Sequence, residues 1–404
     1  MAARQTHSRG SKWQAFFYGF IRRLYYSRIT FTGKDHVPNK GPRLVLCLHR
    51  NGAVDGFIYR GAVSRLKYLV RAKLSRGIIG KVFFSGVEVN RRSDGGNRKD
   101  HEEMVETCVQ HLQAGGPLAI FPEGTSKLGP SHLPFQSGAA HIALNFLETG
   151  EPLTVLPLGI HYESPYAFRS RVEVVIGEAI RLEPSTQEKS RGEQLRAIKL
   201  KFTSALEEVG FNVPDERTLD LAQKFAYIAT LGTNHRYFSA LKSMEQKLPE
   251  KAVAAWEQLE TKLSGRGVLR HQGVPLFATQ PGIYAICALL LAIPVLAGVL
   301  LNFLPLGVGR WAGRRFPDDT NIIALWQILA GVPLFILWLA AWLIVPSVIG
   351  YAWITPIYLA ITWLSLKSCY RLKKLTVAAW NALFQSDLRN DALALHKSII
   401  TELP

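Results

Sequence analysis

The sequence predicts an α/β sandwich with a mixed or largely parallel sheet, followed by a helical region and C-terminal membrane helices. In the first half of the chain, short apolar runs typical of buried strands alternate with longer segments of helical periodicity, which is the pattern of an α/β domain. In the last third, residues 283–309 and 322–366 contain no charged residue. A spanning helix needs about 20 apolar residues, so these two stretches predict insertion into a membrane.

The α/β prediction rests on elements in a fixed order. The extended runs are residues 44–48, 67–73, 117–120, 155–162 and 171–180. The helical segments between them are residues 55–66, 99–114 and 138–148. Because strands and helices alternate, neighbouring strands are expected to be mostly parallel. We assign residues 33–190 to this domain.

The N-terminal segment, residues 1–32, is predicted to be an amphipathic, membrane-associated helix. Its first ten residues are polar and Arg22 and Arg23 interrupt the apolar stretch that follows, so no secretory signal peptide is expected. Over residues 12–28, aromatic and aliphatic residues recur at spacings of three and four, with basic residues around them. Such a helix suits the headgroup plane of a bilayer. The alternative is that the apolar stripe packs on the following domain.

The remaining segments divide by composition. Residues 191–275 are helical and charged, as in residues 191–209 and 249–263, and are interpreted as a cap or spacer. Residues 276–374 are interpreted as the transmembrane region and residues 375–404 as a C-terminal tail. Basic residues follow each of the two apolar stretches, which favours the cytoplasmic side for both of these loops and for the α/β domain. The first stretch would then be re-entrant, turning at Pro294, and the second a hairpin turning near residues 346–350.

The composition of the chain limits the kinds of molecule that it is expected to bind. The chain of 404 residues has 48 Lys and Arg against 31 Asp and Glu, a formal charge of +17. This charge suits nucleic acid or an anionic lipid surface. Nucleic acid is the weaker choice, and no nucleic-acid partner is expected, because no zinc-finger spacing, RNA-binding signature or recognition-helix pattern is present. The four cysteines are far apart without paired spacing, which is typical of apolar fillers in a reducing compartment.

Two short motifs carry the chemistry. His49 is followed six residues later by Asp55, and Phe121–Thr125 reads Phe-Pro-Glu-Gly-Thr; each motif directly follows an apolar strand. In α/β folds such strand ends build the site. A carboxylate there can hold one imidazole nitrogen while the other removes a proton from a hydroxyl. No serine or cysteine lies in a nucleophile-elbow setting, so the substrate's own oxygen is expected to attack, which predicts group transfer to an alcohol.

These motifs resemble those of the glycerolipid acyltransferases of phospholipid biosynthesis, whose hallmark is a histidine and an aspartate in one motif. Three further blocks follow in order: residues 86–92 resemble the second block, which ends in a phosphate-binding arginine, residues 121–126 the third, and residues 155–162 the fourth. The resemblance covers about residues 12–185. His49 and Asp55 are separated by five residues where the family usually has four, which is similar to the glycerol-3-phosphate and dihydroxyacetone-phosphate acyltransferase branch. Gln136 stands where many relatives carry lysine.

The resemblance implies a mechanism and a set of site residues. His49 would be the general base and Asp55 its partner, with direct attack on an acyl thioester. Arg91 or Arg92 would bind the acceptor's phosphate, and Glu123, Gly124 and Thr125 would shape the polyol site. The acyl donor would be acyl-CoA or acyl-carrier protein, the acceptor glycerol-3-phosphate or 1-acylglycerol-3-phosphate, and the product phosphatidic acid or its precursor. No cofactor and no metal are expected.

Three functions remain open from the sequence. The first is the integral membrane acyltransferase just described. The second is the same chemistry on another lysophospholipid or alcohol. The third is a catalytically silent, lipid-binding membrane scaffold, which the joint presence of His49, Asp55, Glu123 and the arginine pair disfavours.

Overall fold

The computed structural model describes residues 9–71, 83, 86–89, 98–184 and 190–403. The described strands are β1 (Arg28–Thr32), β2 (Arg43–Cys47), β3 (Lys67–Arg71), β4 (Gly86–Val89), β5 (Pro117–Ile120), β6 (Leu153–Tyr162), β7 (Arg171–Ile176) and β8 (Ile180–Leu182). The described helices are α1 (Arg9–Tyr25), α2 (Val54–Tyr59), α3 (Arg98–Gln113), α4 (Gly138–Leu147), α5 (Arg191–Val209), α6 (Glu216–Ala229), α7 (Tyr237–Ser243), α8 (Glu250–Leu263), α9 (Pro281–Leu301), α10 (Phe303–Arg315), α11 (Ile323–Val348), α12 (Ile354–Phe384) and α13 (Arg389–Glu402).

The described strands form one mixed sheet in the order β1-β7-β6-β2-β5-β3-β4, with β8 beside β6. From β6 through β2, β5 and β3 to β4 every pair is parallel, whereas β7 and β8 run antiparallel to β6. The predicted α/β class with a mixed, largely parallel sheet is confirmed. Because β2, β5 and β6 are parallel neighbours, their C-terminal ends lie at one edge of the sheet.

Strand β2 shows why the sheet is buried on both faces. Leu44 and Leu46 pack with α3, α4 and α5 on one face, whereas Val45 and Cys47 pack with α1 and α2 on the other. Alternate side chains of a strand point to opposite faces, so an uninterrupted apolar run is what a central strand of a sandwich requires. The second face also receives Ala324, Ile328 and Val332 from α11.

Helix α1 lies on this second face. Tyr18 and Ile21 are almost fully buried against the sheet, and the Tyr18 hydroxyl donates to the carbonyl oxygen of Phe83 at 3.1 Å. The apolar stripe seen in the sequence therefore packs on the α/β domain. Trp13 and Phe16 remain exposed, and contact of this side of the helix with a membrane stays a prediction.

The helices after the sandwich have a core of their own. Helices α6, α7 and α8 pack around Trp256 together with the end of α12 and with α13. The sequence predicted this region to be helical and located the α5 and α8 segments, but it gave no bounds for α6 and α7. The chain thus returns from the apolar helices to complete this second core.

The apolar helices pack as two pairs, of which only the second joins consecutive helices. Helix α9 packs against α12 and helix α10 against α11. The backbones approach closely at small residues: a Cβ on Gly298 would lie 2.3 Å from the Cβ of Ser365, and a Cβ on Gly331 would lie 3.4 Å from the Cα of Gly309. Small residues at such crossings are common between membrane helices.

The predicted turn at Pro294 is wrong, and the second turn begins slightly later than the predicted residues 346–350. Pro294 lies inside α9, and the chain turns back only at Asn302, between α9 and α10. Likewise α11 continues through Pro346 to Val348, and the turn follows at residues 349–353. A proline in an apolar helix is tolerated where neighbouring helices support the backbone, so proline alone did not locate the turns.

Two of the described helices are long and apolar enough to cross a membrane, Pro281–Leu301 and Thr320–Val348. In the most apolar 18-residue stretch of each helix, 17% of the residues are buried within the structure. Large apolar side chains are exposed on the outer face of α9, namely Ile286, Leu289, Leu290, Ile293, Leu296 and Leu300. Length, composition and exposure together favour a lipid environment.

Candidate active site

His49 and Asp55 lie together at the C-terminal end of β2. His49 follows the strand directly, and Asp55 lies in the first turn of α2. The Nδ1 of His49 is 3.0 Å from Oδ2 of Asp55. Because an ionised carboxylate only accepts hydrogen bonds, Nδ1 carries the ring proton and donates a hydrogen bond to Asp55. The ring therefore presents Nε2, the nitrogen that would act as a base.

Asp55 is fully buried and is held by several donors. Its Oδ2 accepts the backbone N–H groups of Arg50 at 2.7 Å and Asn51 at 2.8 Å in addition to His49. Its Oδ1 accepts the hydroxyl of Tyr162 at 2.5 Å. Burial, followed by the charge of Asp55, raises the pKa of Tyr162 well above its usual value, so this hydroxyl keeps its proton. The carboxylate is thus fixed in position and fully hydrogen-bonded despite its burial.

The imidazole of His49 is fixed by stacking as well. Its ring lies on the ring of Phe121, with centroids 4.1 Å apart and an interplanar angle of 21°. Phe121 in turn stacks on Tyr68. The His49 side chain is 15% exposed, so a substrate can reach it. The two predicted motifs meet here, since Phe121 begins the second one.

Glu123 joins the same two motifs through backbone contacts. Its Oε1 accepts the N–H of His49 at 2.7 Å, and its Oε2 accepts the N–H of Leu133 at 3.1 Å. Burial raises the pKa of the Glu123 carboxyl, whereas these two N–H donors and Arg50 oppose that shift. In this arrangement Glu123 positions the loop that carries His49. Its predicted role in binding substrate stays a prediction.

The other residues of the second motif lie beside it. Gly124 has a positive φ of 74°, a conformation that favours glycine, and its N–H donates to the carbonyl of Phe121 at 3.0 Å. Thr125 is exposed. Ser126 contacts the apolar helices: the Asn321 side chain donates to its carbonyl oxygen at 2.7 Å. The segment between α10 and α11 therefore rests on this loop.

The predicted phosphate-binding residues Arg91 and Arg92 lie outside the described residues. Among the described basic residues, Arg50 is adjacent to His49 in sequence. Its guanidinium donates to the carbonyl oxygens of Lys127 at 3.3 Å and Ser131 at 3.4 Å. Burial lowers the pKa of Arg50, and the charges of Glu123 and Asp55 oppose this. Arg50 thus braces the loop after β5 against the loop after β2.

Three residues of this centre were not predicted to have a role: Asn51, Tyr162 and Asn321. Asn51 is fully buried, and its side chain donates to the carbonyl of Pro165 at 2.7 Å. Tyr162 ends β6, the strand next to β2, so its place at a neighbouring strand end was the available signal. Asn321 carries no such signal, because the sequence does not show that the apolar helices fold back onto the catalytic loops.

Replacing Tyr162 with phenylalanine tests the support of Asp55. The variant is expected to lower the free energy of unfolding by about 1–3 kcal/mol, because a buried bond to a charged group is lost. It should also lower the turnover number, since Asp55 is then less firmly held. Chemical denaturation and acyl-transfer assays measure the two effects.

Tyr59→Phe is the matched control. Tyr59 is also buried, and its hydroxyl donates to the carbonyl oxygens of Leu48 at 2.9 Å and Leu158 at 3.2 Å rather than to Asp55. This variant should lose stability and retain its turnover number. Equal turnover numbers for the two variants would contradict a specific role of Tyr162.

Comparison with known proteins defines the class of this site. Residues 28–161 match the family model described as Acyltransferase. The match includes His49, Asp55 and Phe121–Thr125. This part of the chain is therefore an acyltransferase domain, and the resemblance drawn from the motifs is confirmed.

The chain is also similar in sequence to curated relatives. The chain is 34% identical over 129 residues to Glycerol-3-phosphate O-acyltransferase 2 of Saccharomyces cerevisiae, covering 31% of this chain and 17% of that protein. It is 33% identical over 86 residues to 1-acyl-sn-glycerol-3-phosphate acyltransferase of Helicobacter pylori, covering 20% of this chain and 36% of that protein. The match thus spans about a sixth of the yeast protein and about a third of the bacterial one.

A solved structure is also similar in part. The 1-acyl-sn-glycerophosphate acyltransferase PlsC from Thermotoga maritima overlaps with a TM-score of 0.35 at 19% identity, covering 50% of this chain and 83% of that chain.

Proposed function

We propose that this protein transfers a fatty acyl group from a thioester to a hydroxyl of a glycerol phosphate, either glycerol-3-phosphate or 1-acylglycerol-3-phosphate. The observation that carries the proposal is the 3.0 Å contact of His49 with buried Asp55 at the sheet edge, within a segment that matches the Acyltransferase family. The relatives named for these two acceptors support the acceptor class.

The geometry supports a single-displacement reaction. The acceptor hydroxyl approaches Nε2 of His49, which removes the hydroxyl proton as the oxygen attacks the thioester carbonyl. Asp55 holds the imidazole in the required tautomer and stabilises the imidazolium that forms. The carbon–sulfur bond then breaks, the thiolate leaves, and the proton held by His49 neutralises it. The free thiol and the acyl ester are the products.

Binding of the acceptor's phosphate is assigned to Arg91 or Arg92. A planar guanidinium donates two parallel hydrogen bonds to a phosphate, which gives both affinity and orientation. Acyl-CoA or acyl-carrier protein supplies the thioester, and the reaction needs no cofactor or metal. The exposed loop at Thr125 and the stacked ring of His49 border the place where the glycerol would lie.

The enzyme is proposed to act at a membrane with its catalytic domain on the cytoplasmic side. The long apolar helices support membrane insertion, and the arginines that end α10 are the basic residues that favour the cytoplasmic side. Acyl chains partition into the bilayer while the glycerol phosphate remains in water, so a site between the two can receive both.

A panel of acceptors tests the proposed function. Purified protein in detergent or nanodiscs receives one labelled acyl thioester together with glycerol-3-phosphate, dihydroxyacetone phosphate, several lysophospholipids or a non-phosphate alcohol. We expect acylation of a glycerol phosphate. Acylation of only another lysophospholipid or the alcohol would overturn the acceptor class, and folded protein that acylates none would favour the scaffold.

Arg91→Ala and Arg92→Ala test phosphate binding separately. Loss of the phosphate-binding arginine is expected to raise the KM for the acceptor by roughly 10- to 100-fold, because hydrogen bonds between charged groups are lost. The KM for the thioester should change little. Arg181→Ala, which removes a 70% exposed arginine of β8, is the control. Unchanged acceptor KM in both variants would remove these residues from the site.

A further inference from the structure

A cavity of about 530 Å³ lies between the α/β sandwich and the apolar helices. Its walls are the end of α1, the loop of residues 166–168 between β6 and β7, and the facing sides of α9, α10, α11 and α12. Its volume is in the range of sites for small organic ligands. The lining does not include His49, Asp55 or Glu123, so this cavity is distinct from the catalytic centre.

The body of the cavity is apolar. The side chains that line it include Leu24, Phe168, Val299, Leu306, Val332 and Phe335. On α12 the lining runs from Thr362 to Lys373 along one helical face. At 1.5 Å per residue this stretch is roughly 16 Å long. An elongated apolar space fits a flexible hydrocarbon chain better than a compact ligand.

The two ends of the cavity differ in charge. At the far end Asn302 is buried, and its side-chain oxygen accepts the hydroxyl of Tyr358 at 2.7 Å. At the end beside the α/β domain, Arg310 and Lys373 contribute to the lining and are exposed. Within the described part of the chain, neither of these cations forms an ion pair or a side-chain hydrogen bond.

Contacts with the α/β domain show which end of the cavity lies beside that domain. Lys373 follows Tyr370 by three residues, and the Tyr370 hydroxyl donates to Glu163, just after β6, at 2.7 Å. Arg310 lies one turn before Gly313, which packs on Gln327, and Gln327 accepts the hydroxyl of Tyr25 at the end of α1. Both cations thus lie where the apolar helices meet the catalytic domain.

We propose that this cavity binds one acyl chain of an anionic lipid, with the headgroup held by Arg310 and Lys373. The apolar body removes the hydrocarbon from water, and the two cations without ion-pair partners complement a phosphate or carboxylate at the mouth. A free fatty acid and a lysophospholipid both supply this chemistry. The site does not require the acyl-transfer reaction, because it shares no lining residue with the catalytic pair.

Native mass spectrometry of the full-length, delipidated protein in detergent tests the proposal. The probes are oleate, 1-oleoyl-glycerol-3-phosphate and the uncharged monooleoylglycerol. We expect one bound copy of at least one anionic probe and much weaker binding of monooleoylglycerol. Preference for oleate or for the phosphate probe identifies the source of the chain. Equal binding of monooleoylglycerol would overturn the role of the cations.

Matched variants localise the binding. Leu366→Trp fills the cavity and should weaken binding of the anionic probe by about tenfold or more. Leu364→Trp places the same side chain at an exposed position of α12 that does not line the cavity, and should bind normally. Unchanged binding by Leu366→Trp would place the lipid elsewhere and overturn the proposal.

Charge variants test the headgroup contact. Arg310→Gln with Lys373→Gln should remove the preference for the anionic probes, whereas Arg314→Gln with Lys367→Gln, two exposed cations outside the cavity, should retain it. His49→Ala should bind the probes as the unmodified protein does. Failure of the lipid site is thereby distinguished from failure of the proposed catalysis.

Discussion

Replacing His49 with alanine is expected to lower the turnover number for acyl transfer by roughly 10²–10⁴-fold, the range that general-base catalysis supplies. The expectation follows from the geometry: Nδ1 is occupied by Asp55 at 3.0 Å, and the ring is held flat against Phe121. A base so oriented reaches the acceptor hydroxyl without reorganisation. Alanine removes the imidazole nitrogen that would take the proton.

Steady-state assays with the preferred acceptor measure this effect. The KM values should change much less than the turnover number, since His49 acts on the proton rather than on the phosphate or the acyl chain. Added imidazole should restore part of the activity if the defect is the missing base. His235→Ala, in the connection between α6 and α7, is the control for loss of a histidine. Near-normal turnover of His49→Ala would falsify the proposed mechanism.

Asp55→Asn is expected to have the second-largest effect, again roughly 10²–10⁴-fold in the turnover number. An amide in place of the carboxylate removes the charge that stabilises the imidazolium, and it no longer selects the tautomer with the proton on Nδ1. Nitrogen and oxygen of the amide must also share the donors that now converge on Asp55, namely two backbone N–H groups, the imidazole and the Tyr162 hydroxyl.

A loss of folding must be separated from a loss of chemistry in this variant. The free energy of unfolding should fall by about 1–3 kcal/mol, because the bonds to a charged group become weaker. Circular dichroism and denaturation establish whether the protein remains folded at assay temperature. Asp35→Asn, at an 85% exposed carboxylate, should change neither quantity. A folded Asp55→Asn protein with full turnover would remove the carboxylate from the mechanism.

The sandwich could be predicted from the sequence because its central strands are buried on both faces. Uninterrupted apolar runs at β2 and β5 mark such strands, and the polar motifs directly after them mark the edge where the site lies. Helical periodicity likewise predicted the bounds of α3, α4, α5 and α8 to within about two residues, which is the precision with which helix ends can be assigned. The contact between His49 and Asp55 follows from the same reasoning, since both lie in one short loop and its helix.

Features that depend on distant contacts could not be predicted in this way. Tyr162 reaches Asp55 from a strand that is 107 residues away in sequence, and its place at the end of β6 does not by itself show which group its hydroxyl contacts. The turn at Asn302 was placed at Pro294 instead, because a proline inside an apolar helix and a proline at a turn look alike in sequence. From the sequence, the α11 segment was predicted only to span the membrane. In the structure, three of its residues also complete the core on one face of the sheet.

The hydrogen bonds from Asn321 to Ser126, at 2.7 Å and 2.9 Å, make the loop after β5 part of the base of the α10–α11 hairpin. Tilting this hairpin therefore displaces the loop as well. Long apolar helices tilt when the surrounding hydrocarbon layer becomes thinner. In a bilayer, a change in thickness would thus reach the loop beside His49 directly.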